Sequence, residues 1–142
     1  MPDTDRVQLA LHVPDLDEAV AFYSTLFATT PHKQRPGYAN FAISSPPLKL
    51  VLLEDGSRPS GLDHLGVERV DVARVAQEGA RLAEAGVALR HEDGVVCCHA
   101  RQDKHWASDP GGLEWENYTV TDDDPELPAD HAETLISRGC CA

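Results

Sequence analysis

The chain has 142 residues, 42% of them hydrophobic, and a formal net charge of −12 from 12 Lys and Arg against 24 Asp and Glu. That length suits one domain with a real core, able to bury roughly two thirds of its unfolded surface. The acidity argues against a nucleic-acid or anionic-membrane surface and reads most simply as solubility. No apolar run approaches the roughly 20 residues of a membrane span. The opening Met-Pro-Asp-Thr-Asp has neither the basic flank nor the apolar stretch of a signal peptide, so a cytoplasmic protein is expected.

Residues 7–13 read as a strand, with Val7, Leu9, Leu11 and Val13 on one face and Gln8, Ala10 and His12 on the other. Asp15 is placed to cap a helix, with Glu18 completing a box-like signature. Leu16, Ala19, Val20, Tyr23, Leu26 and Phe27 recur at helical spacing, so this face packs on a sheet, and the helix stops near Ala28. Residues 37–43 and 48–53 read as further strands, with a weaker signal for a short strand between Ala28 and Gly37. Residues 54–61 form a linker rich in Gly, Ser and Pro.

The pattern then begins again. Residues 63–68 read as a strand with His64 opposite Leu65 and Val67. Asp71 is placed to cap a second helix with the apolar face Val72, Val75, Ala76, Leu82 and Ala83, ended by Gly86. Short strands are expected at 87–89, 95–99, 105–108 and 113–120. The expectation is an α+β fold of two pseudo-symmetric βαβββ modules, at about 6–55 and 62–120, forming a single domain over 1–120. Residues 121–142 form an acidic tail that carries Cys140 and Cys141 and reads as mobile.

Gln8 and His64 each lie seven residues before the Asp that starts a helix, on the polar face of the first strand of a module. In a pseudo-symmetric pair such positions meet across a central cleft. The last strand carries Glu116, with Glu114 as a near competitor on the same face. The position equivalent to Glu116 in the first module falls close to Lys49, which cannot ligate as a cation. Gln8, His64 and Glu116 then make a three-ligand N/O set that leaves positions open. The remaining histidines His12, His91, His99 and His105 read as surface or second-shell residues.

The four cysteines fall as two adjacent pairs, unlike the spread cysteines of a secreted disulfide framework. Cys97 and Cys98 can serve as a clamp for a thiophilic substrate, as two small buried hydrophobes, or as a redox pair. In a regular strand adjacent side chains diverge, so joint action needs a turn or bulge, which Asp93-Gly94 makes plausible. Cys140 and Cys141 could hand over a thiophilic ion or be incidental.

Asp109-Pro110-x-Gly112 followed by Glu116, on the two-module pattern, resembles the ending of the vicinal oxygen chelate superfamily, which includes glyoxalase I, bleomycin-resistance proteins and extradiol dioxygenases. A narrower resemblance rests on residues 35–43, 46–52 and 63–68, on Cys97-Cys98 and on Gln102-Asp103-Lys104. Over nearly the whole chain these are similar to the ArsI/CadI family, which contains Fe(II)-dependent, O2-using carbon–arsenic lyases and proteins described as cadmium-induced. His105 departs from it, standing where a small apolar residue is expected.

The resemblance implies metal ligands at Gln8, His64 and Glu116, with no catalytic residue beyond them, and substrate thiols at Cys97 and Cys98. It implies Fe(II) as cofactor, replaceable by Ni, Co or Mn in crystals, and O2 as co-substrate. The expected partner is a small trivalent organoarsenical such as methylarsenite, cleaved to arsenite, on a monomer or homodimer. Two alternatives stand beside it: a non-enzymatic cadmium- or arsenic-binding detoxification protein, and another glyoxalase-like metalloenzyme that would not need the thiol pair.

Overall fold

The computed structural model describes residues 2–97 and 99–125. The first module runs β1 (Arg6–Val13), α1 (Leu16–Leu26), β2 (Lys33–Arg35), β3 (Tyr38–Ile43) and β4 (Leu48–Glu54). The second runs β5 (Gly61–Glu68), α2 (Val72–Glu84), β6 (Arg90–Cys97), β7 (Ala100–Ser108) and β8 (Glu114–Asp122). All eight strands form one sheet in the order β2-β3-β4-β1-β5-β8-β7-β6. Each module contributes four neighbouring strands, and β1 and β5 join the halves as an antiparallel pair within this one chain.

The capping residues act as their chemistry requires. Asp15 accepts a hydrogen bond from the Glu18 amide and Asp71 from the Arg74 amide, each satisfying an amide that the first turn leaves unpaired. The first helix ends two residues early, at Leu26, because Ala28 adopts a left-handed φ of 50° and turns the chain out. Beneath α1 lies an apolar core of Val13, Leu16, Ala39, Phe41, Ile43, Leu50 and Leu52, packed by Leu9, Leu11, Val20 and Tyr23. Burying side chains of this kind gives about 1.5–3 kcal/mol each, which makes this cluster the main anchor of the first module.

The second module differs from its expectation in two respects. Residues 87–89 are irregular, and the strand begins instead at Arg90 and runs through a polar segment to Cys97. This is the free edge of the sheet, where charged residues discourage pairing with another chain. Helix α2 buries Val75, Glu78 and Gly79, whereas Val72, Ala76 and Ala83 are exposed. Arg74 and Arg81 hydrogen-bond Glu78, and Arg69 lies 3.8 Å from it.

The faces of the sheet matter most for the site. Gln8, Ala10 and His12 on β1, and His64, Gly66 and Glu68 on β5, are buried, while the apolar neighbours Leu9, Leu11, Leu65 and Val67 are only half-buried and, on the other face, Val13 at the end of β1 joins the core under α1. The polar face therefore lines the closed interior. Two histidines read as surface or second-shell residues are interior ones: His12 is buried beneath Gly61, and His105 is buried against α2.

Candidate metal centre

The β1·β5 pair carries the first two ligand candidates and β8 the third. Gln8 lies opposite Gly66 on β5, and Gly66 lies opposite Glu116 on β8. Gln8, His64 and Glu116 are all buried and line a cavity of about 30 Å3. That exceeds the roughly 10–15 Å3 a single water needs, enough for an ion. Gln8 Nε2 lies 3.2 Å from His64 Nε2 and 2.7 Å from Glu116 Oε1, and His64 Nε2 lies 3.7 Å from that same oxygen.

These separations suit a shared cation. Ligands bound at about 2.1 Å and near right angles to one another stand about 3 Å apart. Rotation of the Gln8 amide by half a turn exchanges its nitrogen for its oxygen at the same place. His64 Nδ1 lies 2.9 Å from Asp63 Oδ1. A proton held there leaves the Nε2 lone pair free to face the cavity, the usual second-shell arrangement for a metal-binding histidine.

Charge around the cavity points the same way. Burial works to lower the His64 pKa, but hydrogen bonds and attraction from Asp63 and Glu116 outweigh it and bring it to about 9. Burial works to raise Glu116, but the Lys104 charge and the His64 and Gln8 contacts hold it at about 2. The place favours positive charge. Among the described residues no cluster of three His, Cys, Asp or Glu side chains could hold a metal. Here the third donor is an amide, so the set fits a divalent ion of moderate affinity rather than a closed structural site.

The structure brings together three further residues that sequence reasoning did not place in the site. Lys104 is buried on β7 with Nζ 3.1 Å from Glu116 Oε2, so one carboxylate oxygen is occupied and the other faces Gln8. Gly66 is the second. A Cβ there would lie 2.7 Å from the Glu116 carbonyl oxygen and 2.8 Å from its Cγ, so only glycine lets Glu116 approach. An isolated glycine inside a strand is a readable sign of such close approach. Asp63 is the third, and nothing in the alternation pattern distinguishes it.

Glu114 does not compete with Glu116: at the first position of β8 it accepts a hydrogen bond from the Ser108 hydroxyl at 2.6 Å, in an exposed pair, and it does not line the cavity. The position equivalent to Glu116 in the first module is Val51, not Lys49. Gly66 is two residues after His64, the matching residue two after Gln8 is Ala10, and Ala10 pairs with Val51. Lys49 lies one alternation away and pairs instead with Glu68 at 3.3 Å, which Arg6 also holds. The counterpart of Glu116 in the first module is thus an apolar side chain, which has no donor atom for a metal.

Cys97 ends β6, buried and disulfide-bonded. Cys98, Cys140 and Cys141 lie outside the described residues. His99 follows in a left-handed conformation with φ of 65°, making the tight turn that sequence reasoning required near the pair. Lys33 donates to the His99 carbonyl at 3.0 Å, and the His99 ring lies 5.7 Å from that of Tyr38, which lines the candidate cavity. The turn therefore lies beside the cavity, tied to the opposite module. No helix among the described residues is long and apolar enough to cross a membrane.

Comparison with known proteins agrees with this architecture. Residues 6–117 match the Glyoxalase/Bleomycin resistance protein/Dioxygenase superfamily. The chain is 52% identical to the trivalent organoarsenical cleaving enzyme of Thermomonospora curvata, over 96% of this chain and 87% of that one. It is 56% identical to the cadmium-induced protein CadI of Mycobacterium bovis, over 96% and 92%. The Mn(II)-bound glyoxalase from Novosphingobium aromaticivorans shares the fold, with a TM-score of 0.58 at 18% identity, covering 88% of this chain and 44% of that one. By its residues, its fold and these relatives, the chain belongs to the ArsI/CadI family of the Glyoxalase/Bleomycin resistance protein/Dioxygenase superfamily.

Proposed function

We propose that the protein is a carbon–arsenic lyase that cleaves a trivalent organoarsenical, such as methylarsenite or a reduced aromatic arsenical, to arsenite. The observation that carries this reading is the meeting of Gln8, His64 and Glu116 in a buried cavity beside the Cys97 turn, in a chain half identical to a relative named for that cleavage. Gln8, His64 and Glu116 would hold Fe(II), which when bound supplies activation of O2.

The protein's own residues do the rest. The Cys97 and Cys98 side chains, reduced by a cellular thiol, displace the hydroxyls on arsenic: two As–S bonds form, two As–O bonds break, and each thiol proton leaves in water. Arsenic stays trivalent in this step. The turn at His99 then fixes the carbon–arsenic bond against the cavity, and holding both reactants in one geometry removes much of the entropic barrier. Lys104 keeps Glu116 anionic and occupies its second oxygen, limiting that carboxylate to one bond toward the cavity. Burial keeps the Tyr38 and Tyr118 hydroxyls protonated beside it. For methylarsenite the atoms and electrons balance without an external reductant: methylarsenite plus O2 gives arsenite plus formaldehyde.

The test is speciation of arsenic after mixing reduced, Fe(II)-loaded protein with methylarsenite in air and under argon. Arsenite and formaldehyde appear in equal amounts, and only in air. The alternative, sequestration of cadmium or arsenic on thiols, gives the buried ligand set no task; it would be favoured by stoichiometric arsenic binding with no conversion in either atmosphere.

A further inference from the structure

Three buried polar atoms around the metal cavity have no hydrogen-bond partner among the described residues: Asn40 Oδ1, Gln102 Oε1 and Tyr118 OH. A buried acceptor left unpaired is destabilising, so a cavity that gathers several is shaped for a donor that arrives with a ligand. Gln102 is the most constrained of them. It lies on β7 where the register with β8 shifts, a local irregularity that re-aims a side chain. Its Nε2 donates to the Cys97 carbonyl at 2.9 Å. That carbonyl can only accept, so the amide orientation is fixed, and Oε1 is the atom Gln102 offers to the cavity. One side chain therefore touches both halves of the site.

We propose that Gln102 is a positioning residue for the arsenical, an assignment that rests on the function proposed above. Its NH2 group pins the backbone at Cys97, so that the thiol-bearing turn stays in register with the cavity. Its Oε1 accepts a hydrogen bond from a hydroxyl of the uncharged trivalent arsenical as that ligand enters. A ligand that presents As–OH donors is thereby steered toward the turn before any bond to sulfur forms. Lys33, bonded to the His99 carbonyl, supports the same turn from the first module without lining the cavity.

Two variants separate these roles from a merely structural one. Q102M keeps the length and bulk of the side chain and loses both hydrogen bonds. Q102E keeps an oxygen for the cavity and loses the donor to Cys97. Three quantities are measured on phosphine-reduced protein: Kd for methylarsenite on the metal-free form by equilibrium dialysis, Kd for Co(II), and KM and kcat for cleavage. Q102M is expected to weaken methylarsenite binding by about tenfold, the equivalent of one good hydrogen bond, and to raise KM in step. Its Co(II) affinity stays within about twofold of the parent, because it touches none of the three ligands.

Q102E should fall between the parent and Q102M in methylarsenite affinity, and it carries the test if Q102M does not fold. Wild-type methylarsenite affinity and KM in both variants would overturn the assignment, as would a loss of Co(II) affinity equal to the loss of arsenical affinity. If the parent protein binds methylarsenite and never cleaves it, the lyase reading fails, while the binding comparison still decides the role of Gln102.

Discussion

At the scale of single residues, the geometry of the candidate metal cavity depends on one absent side chain. Gly66 sits between Gln8 and Glu116 in the sheet register, and a methyl group there would meet backbone as well as side chain. Backbone cannot rotate away as a flexible side chain can. G66A is therefore expected to push β8 outward and to lower divalent-metal affinity by at least about tenfold, with a stability loss of about 1–3 kcal/mol. Metal titration followed by urea unfolding reads both, and an unchanged metal Kd in the folded variant would contradict the assigned geometry. The meeting of Gln8 and His64 was legible because the helix-starting Asp residues gave the two modules a common ruler, and Glu116 was reached from the Asp109-Pro110 turn that feeds the last strand. Lys104 was not, because a lysine on a strand ordinarily reads as solvent-facing. It is buried because the curled sheet encloses this face and Glu116 neutralises it, between the Trp106 and Tyr118 rings at 5.5 and 5.8 Å.

At the scale of elements, the two helix–sheet interfaces are built from different materials. Helix α1 covers an apolar cluster, and its cap and periodicity were plain in the sequence. Helix α2 sits close to β7 over Gly79, with His105 beneath it. His105 Nε2 donates to the Val75 carbonyl at 3.2 Å, and its Nδ1 has no partner among the described residues. Burial pushes the His105 pKa down, the bond to Val75 opposes this, and His91 and Arg69 lower it further against a small opposing effect of Glu78. Asp93, Asp103 and Lys104 line the adjoining cavity.

The sign follows from linkage. A histidine depressed in the folded state binds its proton more readily when unfolded, so its neutral packing stabilises at neutral pH and that stability is lost as pH falls below about 6.5. H105V, which puts a small apolar residue at this position, should flatten the loss of urea midpoint between about pH 7 and pH 5. Equal pH dependence in the two proteins would contradict the assignment. The edge strand β6 escaped sequence reading for a related reason. Arg90, His91, Glu92 and Asp93 lack the alternation of a half-buried strand, because an edge strand with few neighbours has little to bury.

At the scale of the whole molecule, an approximate twofold repeat produces an asymmetric site. The repeat brings Gln8 and His64 together at the β1·β5 seam, where modules paired within one chain meet. It then places a carboxylate, Glu116, on one side and Val51 on the other, so the ligand set is open toward the first module. Lys33 draws the turn after Cys97 across to that side. The architecture was legible because hydrophobic periodicity repeats at the module spacing. The closeness of the turn to the cavity was not, because it depends on contacts between residues more than sixty positions apart.

In the proposed function the two parts of the site do separate jobs: side chains of the sheet would hold the metal, and thiols of the turn would hold the arsenic. The most direct measurement is a crossed comparison of C97S and H64A, both reduced, scored for Co(II) affinity and for methylarsenite retained by the metal-free protein. C97S is predicted to keep parental Co(II) affinity and to lose at least about tenfold in methylarsenite affinity, and H64A to do the reverse. If both variants lose both ligands together, or if C97S retains the arsenical as the parent does, the division of labour between cavity and turn is wrong.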